Sequence, residues 1–353
     1  MSKRATLPSP SRPRRADGEA SASEPTDRRL SRLLGLLLEH PMVVLSGAKI
    51  ARQMRVSRSS VWRWVEQLRT LGVRIKGHGR TGYQLESMPD ILLPQILQRR
   101  LQGISLGQHI HHFFKTESTN AVALRLAAAG APHGTLVVAE EQTAGRGRLG
   151  RAWHSEKTNG IYCTLVLRPP LSPVQAHLLT LVAGLAAREA VVEVTGLEVD
   201  LRWPNDLLAQ GKKFCGILTE MQAEAQRIRY LVVGVGVNVN HTKFPPALEA
   251  IATSLRLVGG KTYSRIEILE RLLAAFERDY NRLLAEGAAP LLARFSRFSS
   301  YARNKHVRVL GAREEFSGVT AGLDPTGCLL VRRDADGKTV PVLAGDIREV
   351  QGK

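Results

Sequence analysis

The sequence has few cysteines and no long apolar run. Its three cysteines, at positions 163, 215 and 328, form neither a Cys-x-x-Cys metal knuckle nor the closely spaced disulfide framework of a small secreted domain. No stretch approaches the roughly 18–20 apolar residues that cross a bilayer, and the basic N-terminus lacks the apolar segment of a secretory signal. These absences predict a soluble protein in a reducing cytoplasm.

Positive charge, in contrast, is abundant. The 353 residues include 50 Lys and Arg against 32 Asp and Glu, a formal net charge of +18, which predicts a polyanionic partner such as nucleic acid or a phosphorylated ligand. Residues 1–29 have seven basic and four acidic residues and almost no large apolar side chains, so they are predicted to be a disordered tail. Residues 30–86 have ten basic and three acidic residues, the densest charge in the chain.

Residues 30–86 have the pattern of a winged helix-turn-helix. A leucine-rich run at 30–39 predicts a short helix, and Ser46 and Ser57 are suitable N-caps for two more. Residues 73–85 are predicted to form two strands around a glycine-rich basic tip, a wing. In the third helix the apolar positions form one stripe of period 3.6: Val61, Trp64, Val65, Leu68 and Leu71. Such domains place the second helix of the motif in the major groove of DNA.

The opposite face of the third helix is basic and polar, and the wing tip carries a further arginine. The predicted DNA-binding residues are Ser57, Arg58, Ser59, Ser60, Trp62, Arg63 and Arg80. The alternative is a helical protein-interaction domain whose basic residues only face solvent. Trp62 lies off the apolar stripe and suits either a base-edge contact or packing against the second helix.

Strand-like and helix-like runs alternate between about residues 113 and 300, without an internal repeat. The predicted strands are 135–140, 161–167, 198–203, 214–221 and 230–237, and the predicted helices are 119–129, 173–194 and 266–285. This order predicts a mixed α/β domain.

A Gly-x-Gly-x-x-Gly sequence begins at Gly145, but its context does not fit a dinucleotide-binding site. That fingerprint needs a following helix and an acidic residue about 20 positions on, where this chain has two prolines. We interpret the segment as a flexible phosphate-binding loop, because glycines let backbone N–H groups approach an anion while Arg146, Arg148 and Arg151 supply guanidinium donors. For the loop alone, a solvated hairpin tip is the alternative.

Other segments carry polar groups that suit a small ligand. Residues 118–120 (Ser-Thr-Asn) open a helix, and residues 202–206 (Arg-Trp-Pro-Asn-Asp) end a strand at the edge where α/β folds bind ligands. Lys213 begins the next strand, and small residues at 234–236 precede Asn238. Each feature alone has an ordinary structural interpretation: residues 118–120 as a helix cap, residues 202–206 as a structural turn and Lys213 as a solvated side chain.

In their order and spacing, these segments resemble the biotin-protein ligases, and with the N-terminal module they resemble the bifunctional members that also repress a biotin operon. The resemblance covers about residues 30–350 and rests chiefly on the double-arginine loop and the Trp-Pro-Asn-Asp turn. It implies an SH3-like C-terminal barrel built from strands near 307–310, 318–324, 328–332 and 340–343. The predicted division is a tail (1–29), a winged helix-turn-helix (30–86), a catalytic domain (87–303) and the barrel (304–353).

The resemblance implies two reactions. Biotin and ATP, the latter with Mg²⁺, give biotinyl-5′-adenylate and pyrophosphate, and a lysine of a carboxylase carrier domain then takes the biotin. It also implies binding to operator DNA and a homodimer that forms when the adenylate is bound. Two departures from the family pattern are Arg202, where lysine is common, and residues 154–160, which differ from the usual proline-containing turn.

The resemblance also implies roles for individual residues. The expected catalytic residues are Arg148, Lys213 and Asp206, and for Asp206 two roles are open: placing Mg-ATP or placing the incoming carrier lysine. Those expected to bind biotin are Ser118, Thr119, Asn120, Gln142, Arg146, Gly147, Arg148 and Lys213. Those expected to bind ATP or the adenylate are Gly145, Arg146, Arg148, Arg151, Trp153, Asn205 and Asn238. No residue is expected to hold a resident metal ion.

Three alternative functions remain open from the sequence. The first is a monofunctional ligase whose N-terminal module has no regulatory role, and the second is a transcription factor that senses a small acid without catalysis. The third is a lipoate ligase, which the Trp-Pro-Asn-Asp turn and the double-arginine loop disfavour.

Overall fold

The computed structural model describes residues 24–41, 43–79, 81–311, 314–342 and 345–350. The N-terminal part comprises helices α1 (Glu24–Glu39), α2 (Gly47–Met54) and α3 (Arg58–Thr70) and the antiparallel hairpin of β1 (Arg74–His78) and β2 (Gly82–Ser87). The predicted N-caps are confirmed, since Ser46 Oγ accepts from Lys49 N at 3.1 Å and Ser57 Oγ from Ser60 N at 3.2 Å. These elements form the predicted winged helix-turn-helix.

Helix α1 begins earlier than the sequence suggested. We expected the tail to reach residue 29, but the helix starts at Glu24. A proline at position 25 is compatible with a first helical turn, where its missing N–H leaves no donor unpaired. The predicted tail up to residue 23, and Arg80 at the wing tip, lie outside the described residues.

The central part is built on a seven-stranded mixed sheet. Its strands are β3 (Ile110–Phe113), β4 (Thr135–Ala139), β5 (Gly160–Leu167), β6 (Asp200–Arg202), β7 (Asp206–Ala209), β8 (Lys212–Glu224) and β9 (Arg227–Asn238), in the spatial order β3-β4-β5-β9-β8-β7-β6. Strands β3 and β4 are parallel and the other neighbouring pairs are antiparallel. A mixed α/β domain was predicted, but strands β3 and β7 were not.

Helices cover both faces of this sheet. Helix α5 (Thr119–Ala128) packs on one face through Val122, Ala123 and Ala127. The other face is covered by α6 (Leu178–Thr195) and α9 (Arg265–Glu286), whose buried leucines join the main core. The remaining helices are α4 (Pro94–Arg100), α7 (Pro246–Glu249), α8 (Leu255–Gly259) and α10 (Ala289–Phe298). Within the described ranges, no helix is long and apolar enough to span a bilayer.

The C-terminal part is a five-stranded antiparallel sheet. Its strands are β10 (Arg303–Leu310), β11 (Glu315–Leu323), β12 (Leu329–Arg333), β13 (Thr339–Val342) and β14 (Asp346–Glu349), in the order β13-β12-β11-β10-β14. It contacts the central part directly, since Trp203 Nε1 donates to Gly327 O at 3.1 Å. The N-terminal part also contacts the central part. Ser31 Oγ lies 3.2 Å from His112 Nδ1, and Lys157 Nζ donates to Thr70 O at 2.9 Å.

Candidate active site

The floor of the candidate site is a patch of sheet without side chains. Gly236 on β9 pairs with Gly216 on β8 and with Tyr162 on β5, so two glycines lie next to each other across the strands. A Cβ atom at Gly236 would lie 2.5 Å from Nε1 of Trp153, and one at Gly216 would lie 3.0 Å from the same ring. The glycines are therefore required because the Trp153 ring rests directly on the backbone.

The N-terminus of α5 borders this floor with buried polar groups. Ser118 caps the helix, and Thr119 N donates to Gln142 Oε1 at 2.8 Å. Gln142 Nε2 in turn donates to Ser155 Oγ at 2.9 Å, while Asn120 Nδ2 donates to Leu218 O at 3.2 Å. The sequence placed Ser118, Thr119, Asn120 and Gln142 in one site, and the structure brings them together. Their mutual hydrogen bonds fix the positions of these side chains before any ligand arrives.

The arginine loop folds back as a tight hairpin over the site. Gly147 N donates to Arg151 O at 2.7 Å and Trp153 N to Gly145 O at 2.8 Å. Arg148 Nη1 lies 3.2 Å from Asn205 Oδ1 and 3.3 Å from Asp346 Oδ1, and Arg151 Nη1 lies 2.5 Å from Asp346 Oδ2. The C-terminal sheet therefore helps to hold the loop closed.

Two features of the loop were not foreseen in the sequence. No role was predicted for Asp346, because a contact across 198 positions leaves no local signal. Arg146 is exposed and, among the described residues, has no hydrogen bond or ion pair. The structure thus groups Arg148 and Arg151 around one carboxylate and leaves Arg146 facing solvent.

A second carboxylate lies at the edge of the glycine floor. Asp206, at the start of β7, forms ion pairs with Lys213 and with Arg202, the latter at 2.7 Å. Burial raises the pKa of Asp206, but Lys213 and Arg202 outweigh it and hold the pKa below its usual value. Lys213 Nζ lies 5.4 Å from the centre of the Trp153 ring. Arg202, the departure from the family pattern, keeps a cation next to Asp206.

Asn205 and Asn238 mainly hold strand ends in place. Asn205 Nδ2 donates to Ile217 O at 2.9 Å and Asn238 Nδ2 to Thr253 O at 3.1 Å. In the described part of the chain, Asn238 Oδ1 and Trp153 Nε1 are buried polar atoms without a hydrogen-bond partner. An acceptor and a donor thus remain available within the site.

The site is cationic and has no activated thiol. Cys163 and Cys215 are both buried. Burial raises the pKa of the Cys163 thiol to about 12 and also raises the pKa of the Cys215 thiol well above its usual value. Lys213, Arg148, Arg151 and Arg202 supply the positive charge. The arrangement suits the binding of phosphate and carboxylate groups better than a covalent acyl-enzyme.

Comparison with known proteins identifies this arrangement. The sequence profile of the biotin/lipoate A/B protein ligase family matches residues 113–238, and that of an HTH domain matches residues 29–84. The bifunctional ligase/repressor BirA of Bacillus subtilis is 38% identical over 290 residues, which cover 81% of this chain and 89% of that protein. The chain belongs to the bifunctional biotin-protein ligase family.

Other relatives agree with this assignment. The biotin--[acetyl-CoA-carboxylase] ligase of Mycobacterium tuberculosis is 37% identical to this biotin-protein ligase over 270 residues, 73% of this chain and 97% of that protein. The biotin protein ligase of Aquifex aeolicus, solved in complex with biotin and ATP, superposes with a TM-score of 0.60 and 29% identity. That superposition covers 69% of this chain and 100% of the Aquifex chain.

The biotin-protein ligase also has a buried ionic network that the sequence did not reveal. Glu140, at the end of β4, pairs with Arg265 at 2.8 Å, and both side chains are fully buried. Glu140 Oε1 also accepts from Leu92 N at 2.8 Å and lies 3.2 Å from His112 Nε2. Burial raises the pKa of Glu140, but Arg265 and His112 outweigh it and lower the pKa to about 2. The network fixes the chain immediately before Gln142.

The predicted DNA-binding residues lie on the outer face of α3 in this ligase. Trp62 is 56% exposed, and Arg58, Ser59 and Arg63 are also exposed. Ser57 serves as a helix cap, with its hydroxyl 2.8 Å from that of Ser59. The sequence missed two further exposed arginines at the end of α2, which line the groove between α2 and α3: Arg52 and Arg55.

Proposed function

We propose that this ligase makes biotinyl-5′-adenylate at the glycine floor beneath the arginine loop and transfers the biotin to a lysine of a carboxylase carrier domain. The observation that carries this proposal is that Lys213 pairs with Asp206 and lies over the Trp153 ring, while Arg148 binds Asn205, the neighbour of Asp206 in the chain. The N-terminal domain is proposed to bring the same chain to operator DNA.

The first step brings two anions together. A carboxylate oxygen of biotin attacks the α-phosphorus of ATP, the bond to the β-phosphate oxygen breaks, and pyrophosphate leaves with the electron pair. Two unit charges about 4 Å apart repel by about 4 kcal/mol at an effective dielectric of 20, so nearby cations must offset this repulsion. We assign that role to Lys213 on the biotin carboxylate and to Arg148 on the phosphate.

Asp206 is proposed to position Lys213. Its two carboxylate oxygens already contact Lys213 and Arg202, which holds the lysine ammonium at the floor of the site. Because both oxygens face cations, Asp206 does not fit a resident Mg²⁺ ion, which takes carboxylate ligands. Mg²⁺ is therefore proposed to enter as part of the substrate Mg-ATP, held by the nucleotide phosphates.

The biotin head group is assigned to the N-terminus of α5 and the nucleotide to the arginine loop. The ureido group of biotin offers both donors and acceptors, which suit Ser118, Thr119 and Gln142 at the start of α5. The adenylate is assigned to the arginine loop, and Trp153 is proposed to stack beside the adenine. Asn120 and Gly147 are proposed to line the part of the site that holds biotin. The further contacts proposed for the adenylate are Gly145, Arg146, Arg151, Asn205 and Asn238.

In the second step the neutral amine of the carrier lysine attacks the acyl carbon of the adenylate. The bond from that carbon to the phosphate oxygen breaks, AMP leaves with the electron pair, and the attacking nitrogen releases one of its two protons to water, which leaves the neutral amide. The protein positions the reactants and shields the adenylate from water, since no covalent enzyme intermediate is required.

One assay tests the ligase proposal. Purified protein, biotin, Mg-ATP and a carrier domain are incubated, and the carrier is probed with avidin. We expect a labelled carrier only when biotin and ATP are both present. Failure of a folded protein to label any biotin carrier domain would overturn the proposal.

A separate measurement tests regulation. We propose that the adenylate favours a homodimer, which presents two winged helices to a two-fold operator. Footprinting and sedimentation with and without biotin and Mg-ATP should both change on addition of the substrates. Unchanged DNA occupancy would instead favour a ligase whose N-terminal domain has no regulatory role.

A further inference from the structure

A cluster of metal-binding side chains lies beside the site, outside the residues assigned to either substrate. His154 and Glu156 follow Trp153 in the segment before β5, and His241 follows the end of β9. One ligand atom from each of the three residues lies within 4.8 Å of the others. This is the segment that departs from the family pattern, so the cluster needs an explanation of its own.

The hydrogen bonds around His241 fix which of its ring nitrogens is protonated. The Tyr162 hydroxyl donates its only proton to Glu156 O at 2.8 Å, because a carbonyl can only accept. The same hydroxyl oxygen lies 3.2 Å from His241 Nε2, so it accepts a hydrogen bond from the N–H group at that nitrogen. His241 Nδ1 is therefore unprotonated and has an available lone pair.

This lone pair has no partner among the described residues. His241 is fully buried, and its Nδ1 atom has no hydrogen-bond donor. A buried neutral imidazole with an unsatisfied nitrogen is suited to a Lewis acid, and its other N–H is already held by a protein oxygen, as is usual for metal-bound histidine.

The other two side chains are also uncommitted. In the described part of the chain, neither His154 nor the Glu156 carboxylate has a hydrogen bond or an ion pair. The His154 ring lies 5.8 Å from that of His241, while Phe244 stacks on His241 at 5.3 Å and fixes its orientation. Both half-buried side chains belong to a loop segment and can rotate toward His241.

We propose that His154, Glu156 and His241 bind one divalent transition-metal ion, most favourably Zn²⁺, with water as the fourth ligand. Two imidazoles and one carboxylate with one open position are a known zinc donor set, whereas Mg²⁺ and Ca²⁺ prefer oxygen ligands. Bond lengths near 2.1 Å in a tetrahedron require the donor atoms to be about 3.4 Å apart, so the cluster must contract slightly on binding. The ion would join the segment after Trp153 to the segment after β9.

The test is metal binding by the full chain, independent of its ligase activity. Protein treated with a chelator is titrated with Zn²⁺ by calorimetry and with Co²⁺ by visible absorption. We expect one ion per chain and the absorption of a tetrahedral Co²⁺ site. Hydrogen exchange of residues 154–160 should slow when Zn²⁺ is present.

Variants distinguish this site from other histidines. His154→Ala and Glu156→Gln alter half-buried loop positions and should each weaken Zn²⁺ binding at least tenfold without lowering the melting temperature. His306→Ala removes an exposed histidine that pairs with Asp334 and should leave binding unchanged. Absence of binding at micromolar Zn²⁺ would overturn the proposal. The partner of His241 Nδ1 would then be a buried water molecule and not a metal ion. Wild-type affinity in both loop variants would also overturn the proposal.

Discussion

The contact between Trp153 and the glycine floor predicts a large effect for one added methyl group. In Gly236→Ala the new Cβ would lie 2.5 Å from Trp153 Nε1, whereas ordinary contact requires about 3.5 Å. The obstructing atom belongs to a side chain, so β9 should keep its place and the Trp153 ring should move by about 1 Å. A displacement of this size at a positioned group costs about 100-fold in rate, which corresponds to about 2.7 kcal/mol of activation free energy.

The assay is pyrophosphate release in the presence of biotin and Mg-ATP. We expect kcat/KM of Gly236→Ala to fall about 100-fold, while its melting temperature stays within a few degrees of that of the wild type. Gly184→Ala is the matched control, because the same methyl group on α6 would lie 3.7 Å from Leu201 and Ile217. Helix propensity predicts that this control is fully active and slightly more stable.

A double-mutant cycle can refute the reasoning. If Gly236 is required only because the Trp153 ring rests on it, Gly236→Ala should lose less than about twofold in a Trp153→Ala background, since the two changes act on one contact. A full additional loss in that background would mean that the glycine makes room for a ligand and not for the ring. Unchanged kcat/KM in the single variant would contradict the proposed function of the contact altogether.

Three further predictions concern other parts of the site. Arg148→Gly should release the adenylate at least tenfold faster in a single-turnover assay, because three contacts that close the loop are lost. Lys213→Ala should abolish most adenylate formation while operator affinity measured without biotin and ATP is retained; loss of that substrate-free affinity as well would indicate misfolding. Glu140→Gln should cost about 3–5 kcal/mol in urea unfolding, against less than about 1 kcal/mol for the exposed Glu286→Gln. Since folding lowers the pKa of Glu140 from 4.5 to about 2, its stabilisation should be present above pH 4.5 and lost as the pH falls toward 2, a slope that the variant should lack.

Local signals account for what the sequence predicted well. The Ser46 and Ser57 caps and the apolar stripe of α3 depend on residues within a few positions of one another, and the structure has them as expected. The same holds for the start of α5 at Ser118 and for the long strand that contains Gly236. Motif residues such as Lys213 and Asp206 were singled out because each lies next to a recognisable strand boundary, Asp206 after the end of one strand and Lys213 at the start of the next.

Contacts between distant segments account for what was missed. Strand β3 is short and carries two histidines, so its sequence looks polar, yet Phe113 and His112 are buried by partners from other segments. The pairing of Arg148 with Asp346 joins residues 198 positions apart, and no spacing rule predicts it. The same applies to Glu140 and Arg265, whose charges look like ordinary surface charges until the fold buries both.

The difference between the buried network and the arginine loop indicates which part of the protein can change conformation when a ligand binds. Glu140 and its partners connect α1 to the chain before Gln142, but these groups are buried and paired, so a ligand has little to change there. The arginine loop has few contacts, which Arg148 and Arg151 make mainly with Asp346 at the rim. A ligand shifts a conformational equilibrium only when it binds the two conformations with different affinity. A loop with few contacts can adopt two conformations at low cost in free energy, whereas the buried network cannot. Any change in dimerisation on ligand binding is therefore expected to begin at the arginine loop, and not at the buried network of Glu140 that joins α1 to the central part.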